Sequence, residues 1–197
     1  MNIEKEIREM WFRDHIAELT KLNDRVSILE WHKLGTVCYH VRYVFDGSKL
    51  YISGDLGEAV FCLTWKASIH SFDDINIHYF ETKLGAYSGD RRNYNEDIAV
   101  DRLKEWRNEL DESETDYNKD EMNELIYFAK SCGSKDEWAY EYVNGRFNNF
   151  ISKLDTDYWE WIYDIGDEIP ARVKSYLIGL KMASEQLKAK ESNENGS

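Results

Sequence analysis

Hydrophobic positions fall into two regimes, a period of two between residues 36 and 66 and a helical spacing along most of the remainder. In the first regime Val37, Tyr39, Val41, Tyr43 and Phe45 alternate with Cys38, His40, Arg42 and Val44. Leu50 and Ile52 alternate with Tyr51 and Ser53. Ala59, Phe61, Leu63 and Trp65 alternate with Val60, Cys62, Thr64 and Lys66. Alternating β-branched and aromatic residues mark half-buried strands, and Asp46-Gly47 and Gly54-Asp55-Leu56-Gly57 supply the reversals between them. The pattern predicts a three-stranded antiparallel meander over about 36–46, 49–53 and 58–66. Its apolar face is expected to pack on helices. The other face, with His40, Arg42, Tyr51, Ser53, Thr64 and Lys66, is expected to be wet or to meet a ligand or partner.

Residues 2–24 place Ile3, Ile7, Met10, Trp11, Leu19 and Leu22 at mostly three- and four-residue intervals and are expected to form one amphipathic helix, with His15 on the same stripe. Residues 25–35 read as a connector. Short helices are expected around 67–72 and 77–86, the second capped by Asn76. Asn95 opens a helix with Ala99, Leu103, Trp106 and Leu110 inward. The next carries Met122, Leu125, Ile126, Ala129 and Cys132 and closes at Gly133. Ser134 and Glu137 have the form of a capping box for a helix with Val143, Phe147, Phe150 and Leu154. Pro170 suits the first turn of a last helix that buries Val173, Leu177, Leu180 and Leu187.

Early strands and late helices define an α+β chain, the meander packed with an N-terminal helix and a C-terminal set of about six helices. The 197 residues fit a single domain over 1–190, with a helix-plus-sheet half (1–94) and a helical half (95–190). A flexible tail is expected at 191–197.

Charge narrows the function. Thirty-eight acidic residues face 25 basic ones, for a formal net charge of -13. Affinity for phosphate backbones and for anionic membranes comes from Lys and Arg, so neither direct nucleic-acid binding nor membrane binding is expected. A basic partner is. No run has the length of a transmembrane helix, and MNIEKEIREM lacks the apolar stretch of a signal peptide. Cys38, Cys62 and Cys132 are odd in number and form no C-x-x-C spacing, which points to the cytosol rather than to a disulfide framework.

The acids are unevenly spread. Residues 109–124 hold eight against Lys119, among them Glu112, Glu114 and Asp116. Residues 155–168 hold six with no base, including Asp155, Asp157, Glu160 and Asp164, interleaved with Tyr158 and Trp159. These residues are the expected partner-binding surface. Closely spaced carboxylates can stand in for the phosphates of a nucleic acid, and aromatic side chains add contact area.

Catalytic signatures are sparse. The chain has no G-x-S-x-G, phosphate loop or dinucleotide fingerprint, so no catalytic residue is assigned. Asp73, Asp74 and His78, with His70 nearby, fall short of an identifiable zinc set. Glu81-Thr82-Lys83 has the E-x-K form of restriction-type nucleases, but on a helical pattern. A small metal-dependent nuclease or hydrolase using Asp55, Glu58, Asp73, Asp74 and His78 is therefore the alternative reading. A regulatory protein without catalysis is another. No cofactor or metal is expected.

Gly54, Asp55, Gly57, Val60 and Phe61, followed by Tyr79, Phe80 and Lys83, carry one resemblance. The segment resembles uncharacterised phage and prophage proteins in which a GD-x-G-x-x-V-F turn-strand motif precedes a YFxxK helix. Gly54, Asp55, Gly57 and Glu58 form the turn. The resemblance implies a mobile-element origin and a cytoplasmic location in a bacterial host, and it transfers no catalytic residue. Together with the acidity it leads to the expectation of a counter-defence inhibitor of the anti-CRISPR or anti-restriction kind. Such a protein binds a basic, nucleic-acid-binding defence effector as a nucleic-acid mimic.

Overall fold

The computed structural model describes residues 2–194. In chain order the elements are α1 (Ile3–Glu6), β1 (Ile16–Lys21), β2 (Val26–His32), β3 (Val41–Asp46), β4 (Lys49–Gly54), β5 (Ala59–Cys62), α2 (Ile77–Thr82) and β6 (Leu84–Tyr87). There follow β7 (Asn93–Tyr94), α3 (Glu96–Glu112), α4 (Lys119–Ser131), α5 (Lys135–Glu137), α6 (Asn148–Leu154), β8 (Asp167–Glu168) and α7 (Ala171–Glu194). The class is α+β. The chain divides into two compact units, Met1–Arg91 with Ile169–Ser197, and Arg92–Glu168.

The first unit is built on a six-stranded antiparallel sheet in the order β1-β2-β3-β4-β5-β6. The expected three-stranded meander is thus only part of the sheet. Its inward parity is as read: Val41, Tyr43, Phe45, Leu50, Ile52, Ala59 and Phe61 are buried. They pack with Phe72, Phe80 and the α7 residues Val173, Tyr176, Leu177 and Leu180. The strands are shorter than expected at both ends. Val37 and Cys38 are exposed, and Tyr39 takes a left-handed φ of 56°, which excludes it from a strand. Leu63 and Trp65 reach the core from a loop after β5.

The expected N-terminal helix over 2–24 is overturned. Helical backbone ends at Trp11 in a π-helical turn, Ile7–Trp11, and β1 and β2 follow as a hairpin. The Asn23 carboxamide oxygen accepts the amides of Arg25 and Val26, a local bond that reverses the chain where a helix would have continued. The edge of β1 is covered by α7. The Gln186 side chain accepts the Ala17 amide at 2.6 Å and donates to the His15 carbonyl at 3.1 Å, so backbone groups that could recruit another strand are occupied. The expected helix over 77–86 stops at Thr82, and Leu84–Tyr87 instead pairs with β5. Of the expected tail, 191–194 continue α7, and 195–197 lie outside the described residues.

The GDLG turn ties this unit together. Gly54 has φ +137°, a conformation open to glycine but rarely to other residues. The Asp55 carboxylate accepts the Tyr39 amide at 2.7 Å, and the Asp55 amide donates to the His40 carbonyl at 2.9 Å. The buried Leu56 offers its carbonyl to the Tyr176 hydroxyl of α7 at 2.6 Å. Start of β3, end of β4 and α7 are therefore fixed by three consecutive residues, Gly54, Asp55 and Leu56.

In the second unit β7 pairs with β8, so the chain enters and leaves it on neighbouring strands. Asn95, Asn118 and Ser134 cap α3, α4 and α5 with side-chain oxygens. The expected stripes Ala99, Leu103, Trp106 and Leu110 on α3, and Met122, Leu125 and Ala129 on α4, are buried together with Trp138, Val143, Phe147 and Ile162. Glu137 completes its cap differently from a capping box: its carboxylate accepts the Gly133 amide at 2.7 Å. The helix begun by α5 continues as a π-helix over Trp138–Arg146.

Candidate functional site

The net charge is a property of one unit. Arg92–Glu168 contains 21 acidic and 9 basic residues, a net of -12, whereas the other unit has 17 against 16, a net of -1. Several of the nine bases are already engaged. Lys130 bonds Asp97 at 2.7 Å, Arg146 bonds Glu124 at 2.8 Å, and Lys135 bridges Asp164 and Asp167. Burial alone would lower the Lys135 pKa, but these two carboxylates raise it above the usual lysine value. Lys104 and Lys119 lie 3.9 Å from Asp101 and Asp111, and with 21 acids against nine bases most of the unit's negative charge is left without a basic counterpart.

Helix electrostatics separate structural acids from the rest. Asp120 and Glu121 sit in the first turn of α4, where the positive end of the helix dipole favours them. Glu109, Asp111 and Glu112 sit at the opposite, unfavourable end of α3, whose last turn has no base. Their placement works against the helix dipole. Asp111 is compensated by the Tyr117 hydroxyl at 2.9 Å and by Lys119 at 3.9 Å, whereas Glu109 and Glu112 have no ion-pair partner among the described residues. Glu114, next in the chain, takes a left-handed φ of 53°.

Of the sequence-read surface, Glu112, Glu114, Asp116, Asp157, Trp159 and Glu160 are exposed, Trp159 with 59% of its surface free. Three others brace the fold. Asp155 accepts the Asp157 amide through one oxygen and the Trp161 indole Nε1–H through the other, each at 2.8 Å. The Tyr158 hydroxyl accepts from Asn148 at 3.1 Å, and Asp164, itself exposed, pairs with Lys135.

The two acidic stretches converge on a hollow of about 340 Å³, lined by Arg102, Glu105, Trp106 and Glu109 of α3 and by Asp155 and Trp161. Trp106 and Trp161 stand edge to face with ring centroids 5.1 Å apart. Sequence reasoning missed Glu105 as a site residue and read Trp106 as core alone. The available signal was the α3 spacing of Glu105 and Glu109, one turn apart on the side next to Trp106. A wider groove of about 790 Å³ runs past Asp116, Glu121, Glu124, Arg146 and Phe150.

The GDLG residues form no comparable site. Gly54 and Asp55 are occupied as described above, the Gly57 amide donates to the Gly54 carbonyl at 3.1 Å, and the Glu58 amide donates to Ser88 Oγ at 2.9 Å. Of the residues of the nuclease and zinc readings, Asp73 pairs with Lys188 and His70 Nδ1 meets Ser184 Oγ at 2.7 Å, while Asp74 and His78 are exposed. Glu81 and Thr82 lie on α2, not on a strand. Among the described residues no group of three or more His, Cys, Asp and Glu is placed to hold a metal ion, and no helix is long and apolar enough to cross a membrane.

Fold and site define an α+β protein in which a six-stranded sheet unit is interrupted, between β6 and α7, by an acidic helical unit. Comparison of the chain with protein families, with curated proteins and with solved structures gave no match.

Proposed function

We propose that the protein is an acidic binding protein whose Arg92–Glu168 unit occupies the cationic surface of a basic, nucleic-acid-binding partner. The observation that carries this reading is the concentration of -12 of the -13 charges in that unit. Uphill placement of Glu109 and Glu112 at the end of α3 supports it, because such charges lower stability unless a partner uses them. So does Trp159, an exposed aromatic flanked by Asp157 and Glu160. With the phage-like turn motif, the role is that of a stoichiometric counter-defence inhibitor in a bacterial cytoplasm. Its carboxylates take the place of phosphates in an effector of the CRISPR or restriction kind. Such a protein needs no catalytic group; charge complementarity supplies encounter rate and selectivity.

The test is competition. Labelled duplex DNA bound to a basic defence nuclease is titrated with the protein and with a variant carrying Glu112→Gln, Glu114→Gln, Asp116→Asn, Asp157→Asn and Glu160→Gln. The parent protein displaces DNA at stoichiometric amounts, and the variant is weaker by at least about tenfold, a change of roughly 1.4 kcal/mol. Equal displacement by both proteins would overturn the role of these carboxylates.

A further inference from the structure

The hollow between Trp106 and Trp161 has a chemistry more specific than general acidity. We infer that it is an anchor site for a single arginine side chain of the basic partner; this inference rests on the function proposed above. Its walls are two indoles at an interplanar angle of 67°. Trp161 is held in place because its Nε1–H is spent on Asp155, which is itself fixed by the Asp157 amide. Trp161, partly exposed beside the buried Trp106, therefore meets a ligand without first losing rotamer freedom.

Glu105 and Glu109 lie one turn apart on α3 along the same hollow, and among the described residues neither has an ion-pair partner. A cation held against an indole face is attracted by the ring quadrupole. A guanidinium also stacks as a plane and offers paired N–H donors to carboxylates. An anion would face Glu105, Glu109 and Asp155, and an apolar group would desolvate them without a partner. An ammonium satisfies the charge but neither stacks nor bonds in a fork. The volume, about 340 Å³, is near the lower bound of ligand pockets and suits one side chain.

Arg102 also lines the hollow and has no ion-pair partner among the described residues. Its positive charge, on the wall of the hollow, opposes an incoming guanidinium, so its removal favours binding.

Calorimetry and tryptophan fluorescence with an arginine-rich and a lysine-rich peptide of equal length test the assignment. The parent protein prefers the arginine peptide by roughly tenfold, on the scale of a desolvated cation–π contact. Trp161→Leu and the pair Glu105→Gln with Glu109→Gln each remove the preference. Arg102→Ala tightens arginine binding several-fold. The pair Glu112→Gln with Glu114→Gln, away from the hollow, weakens both peptides alike. The Glu105/Glu109 pair changes exposed side chains only, so the result stands even if Trp161→Leu fails to fold. Equal binding of both peptides, unchanged by the hollow variants, overturns the anchor and leaves the acidic-surface reading intact. No binding of either peptide at low salt overturns both.

Discussion

Replacing Gly54 with alanine probes the turn on which the sheet unit depends. Gly54 closes β4 opposite Val41 with φ +137°. A Cβ there would overlap the His40 carbonyl oxygen and lie 3.1 Å from the His40 carbonyl carbon and 3.2 Å from Val41 Cα. All three atoms are backbone, so no side chain can rotate away. The same carbonyl accepts the Asp55 amide, and Asp55 holds the left-handed Tyr39, so relief of the clash loosens the clamp. Strain of a non-glycine residue in this region costs roughly 1–3 kcal/mol. Overpacking adds roughly 1–3 kcal/mol, and a weakened hydrogen bond roughly 1 kcal/mol. The total, about 3–7 kcal/mol, is a large share of the roughly 5–15 kcal/mol that stabilises a domain. Gly35→Ala is the control: its φ is +78° with no atom within 4 Å of the new carbon, so only the left-handed term applies, roughly 1–2 kcal/mol. Urea unfolding with hydrogen exchange on the β3 and β4 amides measures both. The urea midpoint of Gly54→Ala falls well below that of Gly35→Ala at unchanged slope. Equal costs for the two variants would refute the steric reasoning.

Three further outcomes follow from individual contacts. Tyr176→Phe leaves the buried Leu56 carbonyl without its 2.6 Å donor and costs about 1–3 kcal/mol in urea unfolding; a loss below about 0.5 kcal/mol would contradict the contact. His15 is buried, and burial pulls its pKa below the ordinary 6.5, with His32, Lys33 and His40 adding repulsion against the bond to the Tyr39 carbonyl. The unfolded chain then binds the extra proton, so stability falls as pH drops below about 6.5. His15→Gln flattens that slope, and a variant with the parent slope would remove His15 as its source. Cys38 and Cys62 are exposed while Cys132 is buried with its thiol pKa raised by burial, so a maleimide labels the first two rapidly and Cys132 only on unfolding.

The inner strands and the later helices were legible because each obeys one period. Val41, Tyr43 and Phe45 alternate cleanly, and Ala99, Leu103, Trp106 and Leu110 keep a helical stripe. β1 and β2 were not legible. In β2 Ile28 on one face and Leu29 and Trp31 on the other are all apolar, so alternation is blurred. In residues 2–24 the apolar residues of α1 and of β1 happen to fall close to helical register. β6 was hidden because Leu84 to Tyr87 continues the pattern of α2 and declares itself only by pairing with β5. At the candidate site the acidic stretches were visible as composition. Their meeting at Trp106 and Trp161 was not, because it depends on how Asp155 folds back to α3. Composition also could not separate Asp155 and Asp164, which are bonded to Trp161 and Lys135, from Asp157 and Glu160, whose exposed side chains have no ion-pair partner among the described residues.

The central claim is that binding resides in the charge of Arg92–Glu168. Its most direct measurement compares two neutralised variants, each lacking three exposed carboxylates, for affinity toward an arginine-rich peptide across rising salt. One carries Asp116→Asn, Asp157→Asn and Glu160→Gln; the other carries Glu58→Gln, Asp74→Asn and Asp90→Asn in the sheet unit. The account predicts that the first variant loses most of the affinity and most of the salt dependence, while the second behaves as the parent. Equal losses in the two variants, or binding indifferent to salt, would contradict it.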